Sequence, residues 1–169
     1  MKKTICKFML FTTVGLILGC GTGISQTRLE NGKFPAPLTI PVSGKITVLD
    51  FWASWCEPCK DAMPEIEELW RSADRSRVAF VGVSADSTRD TAIGIMNEIG
   101  GLTIPMVWDA DGTVQKAYGV IKLPSIVILD EKGRVVWSAG GLEHPTAGDI
   151  PEGEMVGSLA AEIQLLLSR

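Results

Sequence analysis

The amino-acid sequence predicts an α/β fold in which helices flank a mixed central sheet. Strand-like runs of β-branched and aromatic residues alternate with segments of helical periodicity, and a hairpin and a final helix follow them. The chain has 169 residues, which is enough for one domain preceded by a leader. Neither an internal repeat nor a low-complexity tract is visible, so the sequence indicates a single globular domain.

Two strand–helix units and a short strand account for the first part of the predicted domain. Ile46–Trp52 is β-branched, aromatic and nearly continuously apolar, as expected of a strand buried on both faces. Apolar residues then recur at three- and four-residue intervals over 62–73, which predicts an amphipathic helix. Residues 78–83 predict a second buried strand, 88–99 a second helix and 104–108 a third, short strand.

A hairpin and one helix account for the rest of the domain. Residues 125–129 and 134–138 have the composition of strands and are joined by the turn signal Asp-Glu-Lys-Gly. Residues 140–154 are rich in glycine, proline and acidic side chains, and we predict that they form a loop. The last helix is predicted at Met155–Leu167.

The N-terminus has the features of an export signal. Three lysines and no acidic residue occur among the first nineteen positions, around the start of an apolar run over 8–18. This run is shorter than the about 20 residues that a membrane-spanning helix needs. It closes on Ile-Leu-Gly-Cys, and this ending, at Cys20, resembles the lipobox of bacterial lipoproteins. The resemblance implies that Cys20 becomes the lipid-modified first residue of the mature protein.

Two other interpretations of the leader remain open. Small residues before and at Ser25 also suit ordinary signal cleavage after that residue, and the run could stay as an uncleaved anchor. Either cleaved form exports the domain. The predicted boundaries are a lipoprotein signal peptide at 1–19, a polar tether at 20–33 and the domain at 34–169.

The charge and the cysteine count limit the possible functions. A net charge of −4 gives no electrostatic reason to expect nucleic acid as a partner. Because Cys6 lies in the leader and Cys20 is the lipid candidate, only Cys56 and Cys59 remain in the mature domain. One close pair is either a reactive dithiol or half of a metal site. A zinc site needs two further ligands, and His144 is the sole histidine, so we expect a dithiol and no metal.

The dithiol stands between the buried strand and the amphipathic helix. A helix N-terminus stabilises a thiolate, so Cys56 is predicted to be the attacking sulfur. Cys59, one turn further, is predicted to be less exposed and to resolve the mixed disulfide. Pro58 suits the first helical turn. Glu57 is expected to raise the pKa of Cys56 and Lys60 to offset this in part, which predicts a reducing protein.

Asp50 is an acidic residue with apolar neighbours on both sides, six residues before Cys56. Burial raises the pKa of a carboxyl group, so we expect Asp50 to shuttle the proton of Cys59 during exchange. The alternative is a strand-edge acid that faces water. Trp52 and Trp55 are candidates for an apolar platform that binds a peptide, although Trp52 suits the core equally well.

The stretch Asp-Phe-Trp-Ala-Ser-Trp-Cys-Glu-Pro-Cys-Lys over 50–60, with Pro64 beyond it, resembles the active site of thioredoxins. The closer match is to the TlpA-like branch of membrane-anchored extracytoplasmic reductases, and it covers about 46–167. The resemblance implies a thioredoxin-like three-layer sandwich. It also implies that Pro124 is a cis-proline opposite the cysteines and that the backbone of Leu123 pairs with an extended substrate. The expected substrate-binding residues are Trp55, Glu57, Pro58 and Leu123.

Two segments depart from the pattern of this branch. The stretch before Ile46 is short and rich in proline, which suggests a reduced N-terminal hairpin. The segment 140–154 is long and has no assigned role in the branch.

The resemblance implies reduction of disulfides in exported proteins, such as the haem-binding cysteines of apocytochrome c. Electrons would come from a membrane thiol donor, because the sequence lacks a dinucleotide-binding Gly-x-Gly-x-x-Gly and no cofactor beyond the Cys56–Cys59 disulfide is expected. We expect a monomer, anchored by lipid at Cys20 on the periplasmic or cell-surface side of a bacterial membrane.

One alternative function is a copper-handling module of the same fold, which the two-residue cysteine spacing disfavours. The other is an oxidase or isomerase, which would differ in reduction potential.

Overall fold

The computed structural model describes residues 24–29, 38–148 and 150–169, with side chains from residue 38 onward. The predicted signal peptide at 1–19 and the lipid candidate Cys20 lie outside the described residues. The elements in chain order are β1 (Ile24–Leu29), β2 (Leu38–Ile40), β3 (Ile46–Trp52), α1 (Glu57–Ser72), β4 (Val78–Ser84), α2 (Arg89–Ile99), β5 (Met106–Trp108), α3 (Thr113–Ala117), β6 (Val120–Leu129), β7 (Val135–Leu142), a short 3₁₀ helix (Glu152–Glu154) and α4 (Met155–Leu167).

Within this described part, the strands form one mixed sheet in the order β2-β1-β5-β4-β3-β6-β7. The strands β3, β4 and β5 run parallel, whereas β6 pairs antiparallel with β3 and β7 antiparallel with β6. Each parallel step is made through a helix, as a crossover between parallel strands requires. This mixed sheet with flanking helices confirms the predicted fold class.

Strand β3 is the centre of the sheet and leads directly to the cysteines. All seven of its residues are buried, because β4 and β6 cover both of its edges and side chains cover both of its faces. Its bounds are those that the apolar run predicts. Helix α1 follows after a four-residue turn and contacts α4, which also packs on β7. The C-terminal end of β3 and the N-terminal end of α1 therefore meet at one edge of the sheet.

The tether predicted at 20–33 is wrong for Ile24–Leu29, which form strand β1. The first three residues of β1 pair antiparallel with β2, and the last three pair antiparallel with β5. Backbone hydrogen bonds define this pairing, and the polar composition of the segment does not indicate them. The antiparallel pair of β1 and β2 is the N-terminal hairpin, in which β2 has three residues.

The structure also differs from the prediction after β5. Helix α3, Thr113–Ala117, was not predicted, and its N-terminus is held by the carboxylate of Asp109. This carboxylate accepts hydrogen bonds from the backbone nitrogens of Val114, at 3.0 Å, and Gln115, at 2.9 Å. The loop predicted at 140–154 is shorter, because β7 continues to Leu142 and the 3₁₀ helix precedes α4. None of the helices in the described residues is long and apolar enough to cross a bilayer.

Candidate functional site

Cys56 and Cys59 form a disulfide at the N-terminus of α1, with their Cα atoms 5.3 Å apart. Cys56 is the residue before the first helical residue, with an extended backbone (φ −92°, ψ 95°), and Pro58 lies in the first turn. The unpaired backbone N–H groups of this turn are therefore next to the Cys56 sulfur. The exposed fraction is 5% for Cys56 and 3% for Cys59, so the predicted difference in exposure is small in this disulfide form.

The turn between β3 and α1 places Cys56. The backbone nitrogen of Cys56 donates to the oxygen of Ala53, at 3.0 Å, and the nitrogen of Lys60 donates to the oxygen of Cys56, at 3.2 Å. Ser54, inside this turn, is bound by the buried carboxylate of Asp86 at the end of β4. Asp86 did not emerge from the sequence, although one signal was available. It follows a strand parallel to β3, and parallel strands end at the same edge of a sheet.

Glu57 and Lys60 form an ion pair beside the cysteines, with 2.5 Å between Oε2 and Nζ. The hydrogen bond that Lys60 donates to Glu57 raises the pKa of Lys60. Because the two charges are in contact, Lys60 offsets the negative charge of Glu57 directly. Glu57 and Pro58 are both exposed and accessible to a substrate.

Asp50 is buried in the middle of β3, so the alternative of a water-facing acid is wrong. Its exposed fraction is 7%, and burial raises its pKa from 3.8 to about 7. It lies in register between Gly82 of β4 and Ile126 of β6, neither of which has a polar side chain. A carboxyl group with a pKa near neutrality can both accept and return a proton at physiological pH.

The peptide bond between Leu123 and Pro124 is cis, as the family resemblance implies. Strand β6 pairs with β3 only from Ser125 onward, and its pairing with β7 shifts register between Val120 and Ser125. Among the described strands, residues 121–124 thus have no partner in register. Their backbone lies beside a cavity of about 310 Å³. The cavity is lined by Lys122, Leu123, Pro124, Gly140, Gly141, Ile150, Pro151 and Glu152.

The two tryptophans that precede Cys56 have different environments. Trp52 is fully buried in the core, whereas Trp55 exposes 69% of its surface next to the disulfide. An apolar platform at this site can therefore consist of Trp55 but not of Trp52. His144 is exposed, and no group of three or more His, Cys, Asp or Glu side chains in the described part of the chain is placed to hold a metal ion.

A redox pair at the helix N-terminus that follows the central strand, together with a cis-proline on the neighbouring strand, defines a thiol–disulfide oxidoreductase of thioredoxin-like fold. Comparison with known proteins agrees with this class. Residues 38–138 match the AhpC/TSA family, and the chain belongs to that family.

One curated relative and two solved structures illustrate the similarity. The thiol-disulfide oxidoreductase ResA of Bacillus cereus is 35% identical over 150 residues, which cover 82% of this chain and 86% of ResA. StoA from Bacillus subtilis has a TM-score of 0.61 at 24% identity, covering 79% of this chain and 93% of StoA. A putative protein disulfide isomerase from Bacteroides thetaiotaomicron has a TM-score of 0.69 at 22% identity, covering 87% of each chain. At these identities the two structures support the fold alone.

Proposed function

We propose that the protein reduces disulfides in exported polypeptides through the Cys56–Cys59 dithiol. The observation that carries this proposal is the placement of the pair, with Cys56 at the N-terminus of α1 and Cys59 within bonding distance behind it. This placement stabilises the thiolate of Cys56 and supplies a second thiol for resolution. No cofactor other than the disulfide itself is needed.

The first step is attack of the Cys56 thiolate on one sulfur of the substrate disulfide. A bond forms between Cys56 and the substrate, the substrate S–S bond breaks, and the released substrate thiolate takes a proton. The substrate is held as an extended peptide along the unpaired backbone at Leu123, beside the cis-proline Pro124. Trp55 supplies apolar contact area, and the exposed Glu57 and Pro58 complete the surface.

The second step releases the substrate. Cys59 loses its proton to Asp50, and the resulting thiolate attacks the sulfur of Cys56. The mixed disulfide breaks, the second substrate sulfur leaves as a thiolate and takes up a proton, and the protein holds the Cys56–Cys59 disulfide. Two electrons have then passed from the protein to the substrate. A dithiol donor in the membrane returns two electrons and two protons by the same exchange in reverse.

We propose further that the domain is exported, works as a monomer and is anchored by lipid at Cys20. The positive start, the short apolar run and the ending at Cys20 support this location on the periplasmic or cell-surface side of a bacterial membrane. The similarity to TlpA-like reductases makes apocytochrome c a specific candidate substrate. Metabolic labelling with a fatty acid tests the anchor, because Cys20→Ser would abolish the label if the lipid is attached there.

The proposed function is tested by reduction of insulin and by the reduction potential. The wild-type protein and Cys20→Ser should both reduce insulin, Cys56→Ser should be inactive, and Cys59→Ser should accumulate a mixed disulfide. Equilibration with glutathione or dithiothreitol gives the potential. A value nearer to that of thioredoxin, about −270 mV, supports a reductase, and a value near about −120 mV would overturn it in favour of an oxidase.

The alternative function, copper handling, can be tested with the same variants. Copper titration at neutral pH distinguishes it, because delivery through the dithiol requires both sulfurs as ligands. Tight copper binding by the wild-type protein that is lost in Cys56→Ser, together with failure of the wild-type protein to reduce insulin, would replace the reductase proposal.

A further inference from the structure

We infer that Asp86 is a positioning residue for Cys56: its carboxylate holds the turn before α1, so that the two thiols of the reduced protein stay within reach of each other. The inference rests on the exchange activity proposed above. Asp86 exchanges neither a proton nor an electron in the reaction, and it acts only on the geometry that decides how readily the disulfide closes.

The carboxylate of Asp86 is buried and accepts hydrogen bonds from two elements. The residue exposes only 3% of its surface. The backbone nitrogen of Ser54 donates to both carboxylate oxygens, each at 3.1 Å, and the Ser54 hydroxyl donates to Oδ1 at 2.6 Å. The hydroxyl of Ser84 donates to Oδ2 at 3.0 Å. The two carboxylate oxygens can accept from all three donor groups at once.

The backbone of the same residue is fixed at the end of β4. The nitrogen of Asp86 donates to the Ser84 hydroxyl at 3.2 Å, and its oxygen accepts from Nε1 of Trp108 at 2.8 Å. Next to it, the nitrogen of Ala85 donates to the oxygen of Trp52 at 2.8 Å. Asp86 thus connects the rigid ends of β4 and β5 to a turn that lies beyond the last residue of β3.

This connection matters most after reduction. In the disulfide form, the bond to Cys59 itself holds Cys56 at the N-terminus of α1. When two electrons and two protons open that bond, the turn over 53–56 must keep the Cys56 sulfur in place. A looser turn lowers the effective concentration of one sulfur at the other, which makes closure of the disulfide less favourable and slower. Loss of the Asp86 contacts should therefore make the protein a weaker reductant.

The chain offers a matched control in Glu67. This is a second buried carboxylate that accepts from two backbone nitrogens, those of Thr103 at 2.8 Å and Ile104 at 3.1 Å, and from the Thr103 hydroxyl at 2.6 Å. Unlike Asp86, it also pairs with an arginine, because Nε of Arg71 donates to Oε1 at 2.8 Å. It connects α1 to the segment before β5, away from the turn that carries Cys56. Asp86→Asn and Glu67→Gln each replace one acceptor oxygen by a donor amide, so both should lower stability.

The test compares the equilibrium constant with glutathione for the wild-type protein, Asp86→Asn and Glu67→Gln. We expect Asp86→Asn to lower the constant for disulfide formation about tenfold, a shift of about +30 mV, and to slow resolution of the mixed disulfide. Glu67→Gln should leave both quantities unchanged. Ser54→Ala removes only the hydroxyl donor and should give a smaller shift of the same sign, and it keeps the test available if Asp86→Asn does not fold.

The inference is overturned if folded Asp86→Asn has the wild-type potential and resolution rate, or if Glu67→Gln shifts the potential as much. Where only Ser54→Ala folds, an unchanged potential in that variant overturns it. Failure of the proposed function is a different result, namely no exchange by the wild-type protein.

Discussion

Asp50 of β3 lies in register with Gly82 of β4, so one strand neighbour of this buried acid has no side chain. Residues in register share a face of the sheet. A Cβ atom at Gly82 would lie 2.0 Å from Sδ of Met106 and 3.3 Å from Nε1 of Trp52, so these side chains occupy the space beside Asp50. The other neighbour in register is Ile126. Burial of Asp50 in this part of the sheet raises its pKa to about 7.

The raised pKa of Asp50 predicts a pH dependence of stability. The pKa is 3.8 in the unfolded reference and about 7 in the fold, so the folded protein binds more protons between these values. The free energy of unfolding should then fall as the pH rises from about 4 to 7, by up to about 1.4 kcal/mol per pH unit. Asp50→Asn should lack this fall, which urea denaturation of the oxidised protein across that range measures.

Asp74→Asn is the control for this measurement. Asp74 is an exposed acid whose pKa is lowered by the hydrogen bond from the Ser76 hydroxyl, so its contribution to stability is lost as the pH falls. Its replacement should leave the decline between pH about 4 and 7 in place. The assignment to Asp50 is wrong if Asp50→Asn retains the wild-type slope.

Asp50→Asn should also slow the second step of exchange. An amide cannot take the proton of Cys59, so the mixed disulfide should persist and turnover at neutral pH should drop about 10²-fold. The defect should shrink at alkaline pH, where the thiol ionises without a base. Acid quenching followed by mass spectrometry measures the fraction of mixed disulfide. Equal resolution rates for the variant and the wild-type protein at neutral pH would remove Asp50 from the mechanism.

The sequence predicts those parts of the site that depend on the order of apolar and polar residues within a single strand or helix. The bounds of β3 and α4 follow from the apolar residues of each element, and the position of Cys56 follows from the switch between strand and helix. The burial of Asp50 follows from its apolar neighbours. The class of protein depends on the short segment from β3 to the start of α1, and the sequence alone therefore predicts it.

Other features depend on pairing between distant segments. Strand β1 pairs through its backbone with β2 and β5, and the amino-acid composition of 24–29 does not indicate this pairing. Asp86 resembles an ordinary loop acid until the parallel pairing of β3 and β4 brings it to Ser54. The glycines at 140 and 141 resemble loop residues until β7 is placed against the cis-proline segment.

Replacement of Gly140, which lies against the backbone of the cis-proline segment, should lower both the stability of the protein and its affinity for a peptide. Its φ is +91°, and a Cβ atom there would lie 2.4 Å from the oxygen of Pro124 and 3.0 Å from Cα of Ser125. No side-chain rotation relieves a clash with backbone, so Gly140→Ala should displace the cis-proline segment. We expect a loss of about 1–3 kcal/mol in the free energy of unfolding and a higher KM for a peptide disulfide.

Gly157→Ala provides the comparison for this substitution. A Cβ atom at Gly157, inside α4, meets nothing within 4 Å, so alanine should stabilise the helix by about 0.5–1 kcal/mol. Urea denaturation and peptide-disulfide kinetics on both variants separate a general effect of glycine replacement from the local clash. A Gly140→Ala protein with wild-type stability and KM would show that the contact with Pro124 does not constrain the site.

The ion pair between Glu57 and Lys60 should have little net effect on the redox potential, whereas each charge alone should have one. Glu57 disfavours the Cys56 thiolate and Lys60 favours it. Glu57→Gln should therefore make the potential less negative and Lys60→Gln more negative, each by less than about 30 mV because solvent screens exposed charges. The double variant should return close to the wild-type value, since it removes both charges of the ion pair.

Added salt should make the shifts of the two single variants smaller, because dissolved ions screen charges that lie at the protein surface. Glutathione equilibration at low and high salt measures all four proteins. If both single variants move the potential in the same direction, the charges act through the conformation of α1 rather than through the thiolate.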